Sequence, residues 1–287
     1  MKIPGLTLIG ESINDSIPST HALLERGDME GIQALARRQD EGGADYIDIN
    51  VGARTPDFMG EVVRAVQRVT AKPLSIDSPD AALCEAGLRV YEAGRAGGAC
   101  PILNSISPLR TKMFALERLQ RFRPILMASE RAVGGEGISN HTAEEVLATV
   151  HELVARAARH RIPVTDCIVD PAIAPIGADG DGQFRRLMGA LQLMCADKAL
   201  EGIHASVGLS NFTVMLPPKR ADGASTKTML ESAFLTMAMP LGLNHVIGST
   251  RRQYRILPPD DPACVCLREC LTLEGFDVIL RIQDYYS

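Results

Sequence analysis

Short apolar runs alternate with longer amphipathic stretches along the whole chain. Residues 6–10 are the first apolar run, and the polar segment from Glu11 to Ser19 reads as the loop after it. Residues 29–41 place Ile32, Leu35 and Ala36 on one side with charge elsewhere, which predicts a helix. Gly42 and Gly43 end it, because glycine accepts the left-handed geometry of a helix exit. A strand over 45–50 follows, and the pattern then repeats. It predicts further strands at about 73–77, 101–104, 124–128, 166–169, 205–209 and 243–247. Helices are predicted at 57–69, 79–93, 110–121, 142–159, 183–197, 227–240 and about 261–274. The segment 142–159 shows the rule plainly. Val146, Leu147, Val150, Leu153, Val154, Ala157 and Ala158 make one apolar stripe, Thr142 can cap it, and Glu144 and Glu145 lie in its first turn.

Eight strand-helix units in 287 residues are the inventory of a closed (β/α)8 barrel of the TIM type. Short apolar strands suit a parallel sheet covered by helices. A doubly wound open sheet is the structural alternative. No G-x-G-x-x-G follows the first strand, and no phosphate-loop motif occurs in the chain. The Pro/Gly/Asp-rich stretches at 171–182 and 217–224 read as long loops above a barrel face, so residues 1–287 are expected to form a single domain.

Composition narrows the partners. Thirty basic against 35 acidic side chains leave a net charge of −5, a bias against nucleic acid and anionic membranes. No signal peptide and no apolar run long enough to span a bilayer are recognisable, and seven cysteines fit reduced thiols, so a cytoplasmic location is expected. Cys264, Cys266 and Cys270 lack the spacing of a zinc site and fall in a helix-like segment, so no metal site is expected.

The chemistry gathers where the strands stop. The second ends in Asp48 and Asn50, the third in Asp77, the fourth in Asn104, the sixth in Asp170 and the seventh in Ser210 and Asn211. Asn244 and His245 lie beside the eighth, where a loop or packing role is expected for His245. A barrel brings C-terminal strand ends together over one mouth, where active sites are built. Each residue alone is as readily a loop or helix cap, but the repetition favours a site. Asp, Asn and Ser offer paired acceptors and donors to a heterocycle with ring nitrogens and an amino group, and few cations stand there to hold phosphate. The residues alone point to a polar heterocycle or a polyol.

The segments Ile9-Gly10-Glu11-Ser12-Ile13-Asn14, Ile47-Asp48-Ile49-Asn50-Val51-Gly52, Leu74-Ser75-Ile76-Asp77-Ser78, Ile102-Leu103-Asn104-Ser105-Ile106, Val169-Asp170-Pro171 and Gly208-Leu209-Ser210-Asn211 occur in that order. With them the sequence resembles the pterin-binding methyltransferases that act between methyltetrahydrofolate and a corrinoid (cobalamin-type) protein. It is similar to the methyltetrahydrofolate domain of cobalamin-dependent methionine synthase and, more distantly, to dihydropteroate synthase. The resemblance covers roughly residues 6–250 and implies the dihydropteroate-synthase-like barrel. It implies that Asp77, Asn104 and Asp170 bind the pterin ring and that Asn211 lies near N5, with Asp77, Asp170 and Asn211 serving catalysis. Asp48 is expected to support the site and Asn50 to lie nearer the substrate, while Glu11 and Asn14 match the first loop.

The resemblance implies a corrinoid carried by a partner protein, since no Asp-x-His-x-x-Gly cobalamin signature occurs and no length remains for a corrinoid module. It also implies a homodimer paired through outer helices. The fifth strand departs from the pattern, ending Met127-Ala128-Ser129-Glu130-Arg131 where relatives commonly carry Thr and Asn. Lys219 and Arg220 are candidates for a folate tail or an acidic partner, with a solvated loop as the plain reading. The C-terminal stretch 279–287 carries no motif and is expected beneath the barrel or at a subunit interface. Two readings compete with methyl transfer: a dihydropteroate synthase, and a non-catalytic folate-binding or corrinoid-docking subunit.

Overall fold

A computed structural model describes residues 2–287. Strands β1 (Thr7–Asn14), β2 (Tyr46–Asn50), β3 (Leu74–Asp77), β4 (Ile102–Ile106) and β5 (Arg123–Met127) come first. A hairpin, β6 (Glu130–Val133) and β7 (Glu136–Ser139), precedes β8 (Ile168–Asp170), β9 (His204–Gly208) and β10 (Leu243–Gly248). All except the hairpin close into one parallel barrel in the order β1-β2-β3-β4-β5-β8-β9-β10. Each of its steps satisfies the backbone of short strands that could not stand alone.

The helices are α1 (Pro18–Glu25), α2 (Met29–Glu41), α3 (Pro56–Gln67), α4 (Ala81–Val90), α5 (Ala143–Arg159), α6 (Gln183–Ala196), α7 (Leu209–Phe212), α8 (Thr226–Ala238), α9 (Pro262–Cys270) and α10 (Phe276–Tyr286). The expected stripe of α5 is buried at Val146, Val150, Leu153 and Ala157, and Thr142 and Glu145 form a reciprocal cap at its start. A broad core fills the space between barrel and helices. Inside the barrel, Ile9, Ile102, Ile125 and Ile168 form a separate apolar layer below the mouth.

Several expectations are corrected. The segment Glu11 to Ser19 is not simply a loop: β1 runs on to Asn14, and Pro18 starts α1. The helix expected at 110–121 is a 3₁₀ stretch over Thr111–Arg118, whose buried side chains, Met113 and Phe114, are neighbours and make no helical stripe. The helix at 261–274 stops at Cys270, and Gly275, at φ 57°, leads into α10. That last helix buries Val278, Ile282 and Tyr285 against α9 and the turn Ile176–Ala178 after β8, so it packs beside the mouth loops and not beneath the barrel. The hairpin is hidden in the sequence by its polar residues; its turn is Gly134-Gly135, both with positive φ, the pair that such a tight connection demands.

Asn244 and His245 also change sides. They are the second and third residues of β10, so they lie toward the base of the barrel, opposite the mouth. There Asn244 bonds both His204 and His245, and Arg123 approaches His245 at 3.4 Å. Burial and the Arg123 charge push His245 down to about 3, which keeps it a neutral plug.

Candidate active site

A cup of about 310 Å³ opens at the C-terminal ends of the strands. Glu11, Asn14, Asp48, Asp77, Asn104, Asp170 and Asn211 all line it, joined by Ser105, Met127 and Ile173. A larger hollow of about 580 Å³ lies at the other end, among Met194, Asp197, Lys198 and Gly242. It gathers no comparable set of converging carboxyls and amides, so the chemistry points to the cup.

Register places the floor. Asp48 sits opposite Ser75, and Asp77 opposite Asn104. Asp48 and Asn50 differ from expectation in their division of labour. Asp48 faces the cup and is only 1% exposed, whereas Asn50 stands behind Asp77 and donates from Nδ2 to its Oδ2 at 2.9 Å. The other end of the Asn50 amide accepts from the Gly52 N–H at 2.9 Å, so its orientation is fixed. Burial raises Asp77; Asn50, Asp48 and the Arg110 charge pull it back. Burial, reinforced by the Asp77 charge, holds Asp48 well above the carboxylate range.

Asp170 is aimed by the loop that follows it. Its Oδ1 accepts from the Ala172 N–H at 2.8 Å, and Ala172 adopts φ 64°, a conformation that a non-glycine residue holds only under constraint. Arg186 on α6 supplies the constraint. It donates to the carbonyls of Pro171 at 3.1 Å, Ala172 at 3.3 Å and Asn140 at 2.7 Å, tying the β8 loop to the end of the hairpin. Burial pushes Asp170 up to about 6, while the Ala172 N–H and Arg186 act the other way.

The fourth wall is the turn α7. Leu209 and Phe212 are fully buried, and the Phe212 ring lies 5.5 Å from Phe184 and 5.2 Å from Phe234. That anchor leaves Asn211 lining the cup, with Ser210 beside it. The Ser210 hydroxyl donates to Glu11 Oε1, linking β1 to the turn. Burial raises Glu11, against the Ser210 bond and the charge of Arg252. Just after α7, Thr213 donates to the buried Glu231, which also pairs with Arg252.

The sequence did not reveal Arg186, Glu231 or Arg252 as parts of this assembly. Arg186 reads as an ordinary charge on an amphipathic helix, and only the folded loops show its three carbonyl partners. Lys219 and Arg220 do not reach the cup lining: Arg220 stacks over the Tyr285 ring at 4.5 Å and pairs with Asp222. All seven cysteines are free thiols, with Cys264, Cys266 and Cys270 buried along α9. No group of three or more metal-binding side chains is arranged to hold a metal ion among the described residues. No helix among them is long and apolar enough to cross a membrane.

The chain is thus a closed parallel barrel with carboxyls and amides converging on a cup at the C-terminal ends of its strands. The chain belongs to the pterin-binding enzyme family, whose pattern matches residues 13–248. A methylcorrinoid:tetrahydrofolate methyltransferase of Eubacterium limosum is 26% identical over 253 residues, covering 84% of each chain. Among solved structures, the dihydropteroate synthase of Thermus thermophilus superimposes with a TM-score of 0.57 at 20% identity, over 95% of this chain and 93% of that one. That of Xanthomonas albilineans, bound to 7,8-dihydropteroate, gives 0.53 at 14% identity, over 95% and 96%. These two show the barrel fold; the family relates to folate and corrinoid methyltransferases and more distantly to dihydropteroate synthase.

Proposed function

We propose that this enzyme moves a methyl group between N5 of tetrahydrofolate and the cobalt of a corrinoid held by a separate protein. The observation that carries the reading is the chemistry of the cup. Its lining presents four carboxyls and three amides and, among the described residues, no Lys or Arg. Such a wall suits the amino-pyrimidine edge of a neutral pterin, which needs acceptors. It is poorly built for the pyrophosphate that a dihydropteroate synthase must hold, since that leaving group calls for cations. The name of the Eubacterium relative makes methylcorrinoid the donor, and we extend that direction to this chain.

When bound at the open mouth, the corrinoid supplies the methyl group at cobalt and keeps the bonding electron pair. The chain's own residues do the rest. Asp77, Asn104 and Asp170 hold the ring in register, which removes most of the orientational cost of the reaction. Asn211, near N5 in this reading, stabilises the charge that develops there as the new C–N bond forms. The nitrogen must then lose its proton, and Glu11, bonded to Ser210 beside Asn211, takes it. The partner approaches from the open side, and two copies of the chain pair through outer helices.

Incubation with p-aminobenzoate and dihydropterin pyrophosphate separates this reading from the synthase, which alone releases dihydropteroate. Tetrahydrofolate binding without methyl transfer to or from any corrinoid, free or protein-bound, would instead support a non-catalytic subunit.

A further inference from the structure

The floor of the cup contains two acids where its geometry provides for one charge. Asp48 and Asp77 project from the adjacent parallel strands β2 and β3 into the same cup. Asp48 sits opposite Ser75, two positions before Asp77 on the same face of β3, near enough for the Asp77 charge to act on it. Asp77 has a partner in the Asn50 amide at 2.9 Å. Asp48 has none of that kind. It is 1% exposed, and neither of its oxygens meets a donor from any other group. Ser75 and Asn104 stand close enough to favour its charge, but neither Asp48 oxygen has a well-formed hydrogen bond from them.

The surrounding charges do not rescue a second anion. Glu11, from β1, adds negative charge on the same side. Arg110, in the loop after β4, acts on Asp77 and donates to Ser105 at 3.3 Å. On α4, Cys84 is pushed up to about 12 and stays a neutral thiol. Two buried carboxylates side by side, one without a donor, are a costly arrangement that a single proton removes.

We propose that Asp48 and Asp77 share one proton, with Asp48 as the neutral donor and Asp77 as the anion. The Asp48 hydroxyl then gives Asp77 its second hydrogen bond, and Asp48 acts as a positioning residue. Asn50 and Asp48 together point the Asp77 carboxylate at the ligand. The pair carries one negative charge instead of two, which suits a neutral heterocycle over a divalent cation. Only the ligand arm of the following test rests on the pterin reading; the proton itself does not.

Infrared difference spectra of the full chain, wild type against Asp48→Asn, read the proton directly. They are taken at mildly alkaline pH, above the value of about 6 at which Asp170 titrates. The wild type is expected to show a protonated-carboxyl stretch that shifts in deuterium oxide and is missing from Asp48→Asn. In parallel, Asp48→Asn keeps a neutral donor and should weaken tetrahydrofolate binding less than about threefold, whereas Asp48→Ala, which leaves Asp77 short of a donor, should weaken it about tenfold or more. No such stretch in the wild type, or one that persists in Asp48→Asn, overturns the proposal. Equal loss of affinity in the two variants does so too. If the variants do not fold, the wild-type spectrum alone decides: the band must survive at pH values where ordinary carboxyls are fully ionised. If tetrahydrofolate does not bind the wild type, the pterin reading fails and the spectrum still decides the proton.

Discussion

The Asn50 amide donates to Asp77 Oδ2 at 2.9 Å while accepting from the Gly52 N–H, so the end of β2 fixes the acid at the end of β3. Asp77 faces the cup and Asn50 does not. Replacing Asp77 by Ala should therefore remove a direct charge-assisted contact and cost about 1.5 to 3 kcal/mol of tetrahydrofolate binding. Asn50→Ala removes only the positioning bond and should cost about 1 kcal/mol. Calorimetry checks the order; unchanged affinity in Asp77→Ala would take that residue out of the site.

Asp170 predicts a pH dependence with opposite signs for binding and stability. Its folded value, about 6, lies above the ordinary 3.8. Its contribution to the stability of the free protein is thus full below about 3.8 and is lost as pH rises through about 6. A ligand that donates to the ionised carboxylate does the reverse. Tetrahydrofolate affinity should be greatest above about 6 and fall as pH drops below it, and Asp170→Asn should flatten that slope. Binding isotherms across the acid range, for both proteins, measure the difference.

Arg186 bonds three carbonyls of two mouth loops and is 9% exposed. Arg186→Met leaves those carbonyls short of a donor and should lower stability by about 3 kcal/mol, seen as an earlier urea midpoint. It also removes a cation that favours ionised Asp170, so the acid limb of binding should move to higher pH.

Much of this arrangement is legible in the sequence, for identifiable reasons. Apolar runs such as 45–50 and 73–77 are buried on both faces, so they stand out against the amphipathic helices, and β2 and β3 fall within them. Polar residues at the strand ends mark Asp48, Asp77, Asn104 and Asp170 because a barrel has one mouth. The same polarity hides the end of β1, where Glu11 and Asn14 line the cup and read as loop. It also hides the β6–β7 hairpin, whose only plain signal is Gly134-Gly135. Asn244 and His245 group with the mouth residues in the sequence, yet they lie in the first half of β10 and plug the base. The Arg186 clamp and the Glu231–Arg252 pair behind Asn211 join residues far apart in the chain, which periodicity cannot detect.

Asn211 separates chemistry from binding. If its contact strengthens as charge develops on N5, Asn211→Ala should slow single-turnover transfer by about 2 to 4 kcal/mol, roughly thirty- to a thousandfold. Ground-state affinity for tetrahydrofolate should change much less. A large loss of affinity with an unchanged saturated rate would leave Asn211 a binding residue only.

The cobalt spectrum follows methyl transfer at this cup directly. The enzyme is mixed anaerobically with tetrahydrofolate and methylcob(III)alamin, and with methyltetrahydrofolate and cob(I)alamin for the reverse, at high free corrinoid. Interconversion of the two cobalt spectra, matched by gain or loss of methyltetrahydrofolate and slowed at low folate by Asp77→Ala, is the predicted result. Formation of dihydropteroate by the same preparation, with no exchange of methyl in either direction, would contradict it.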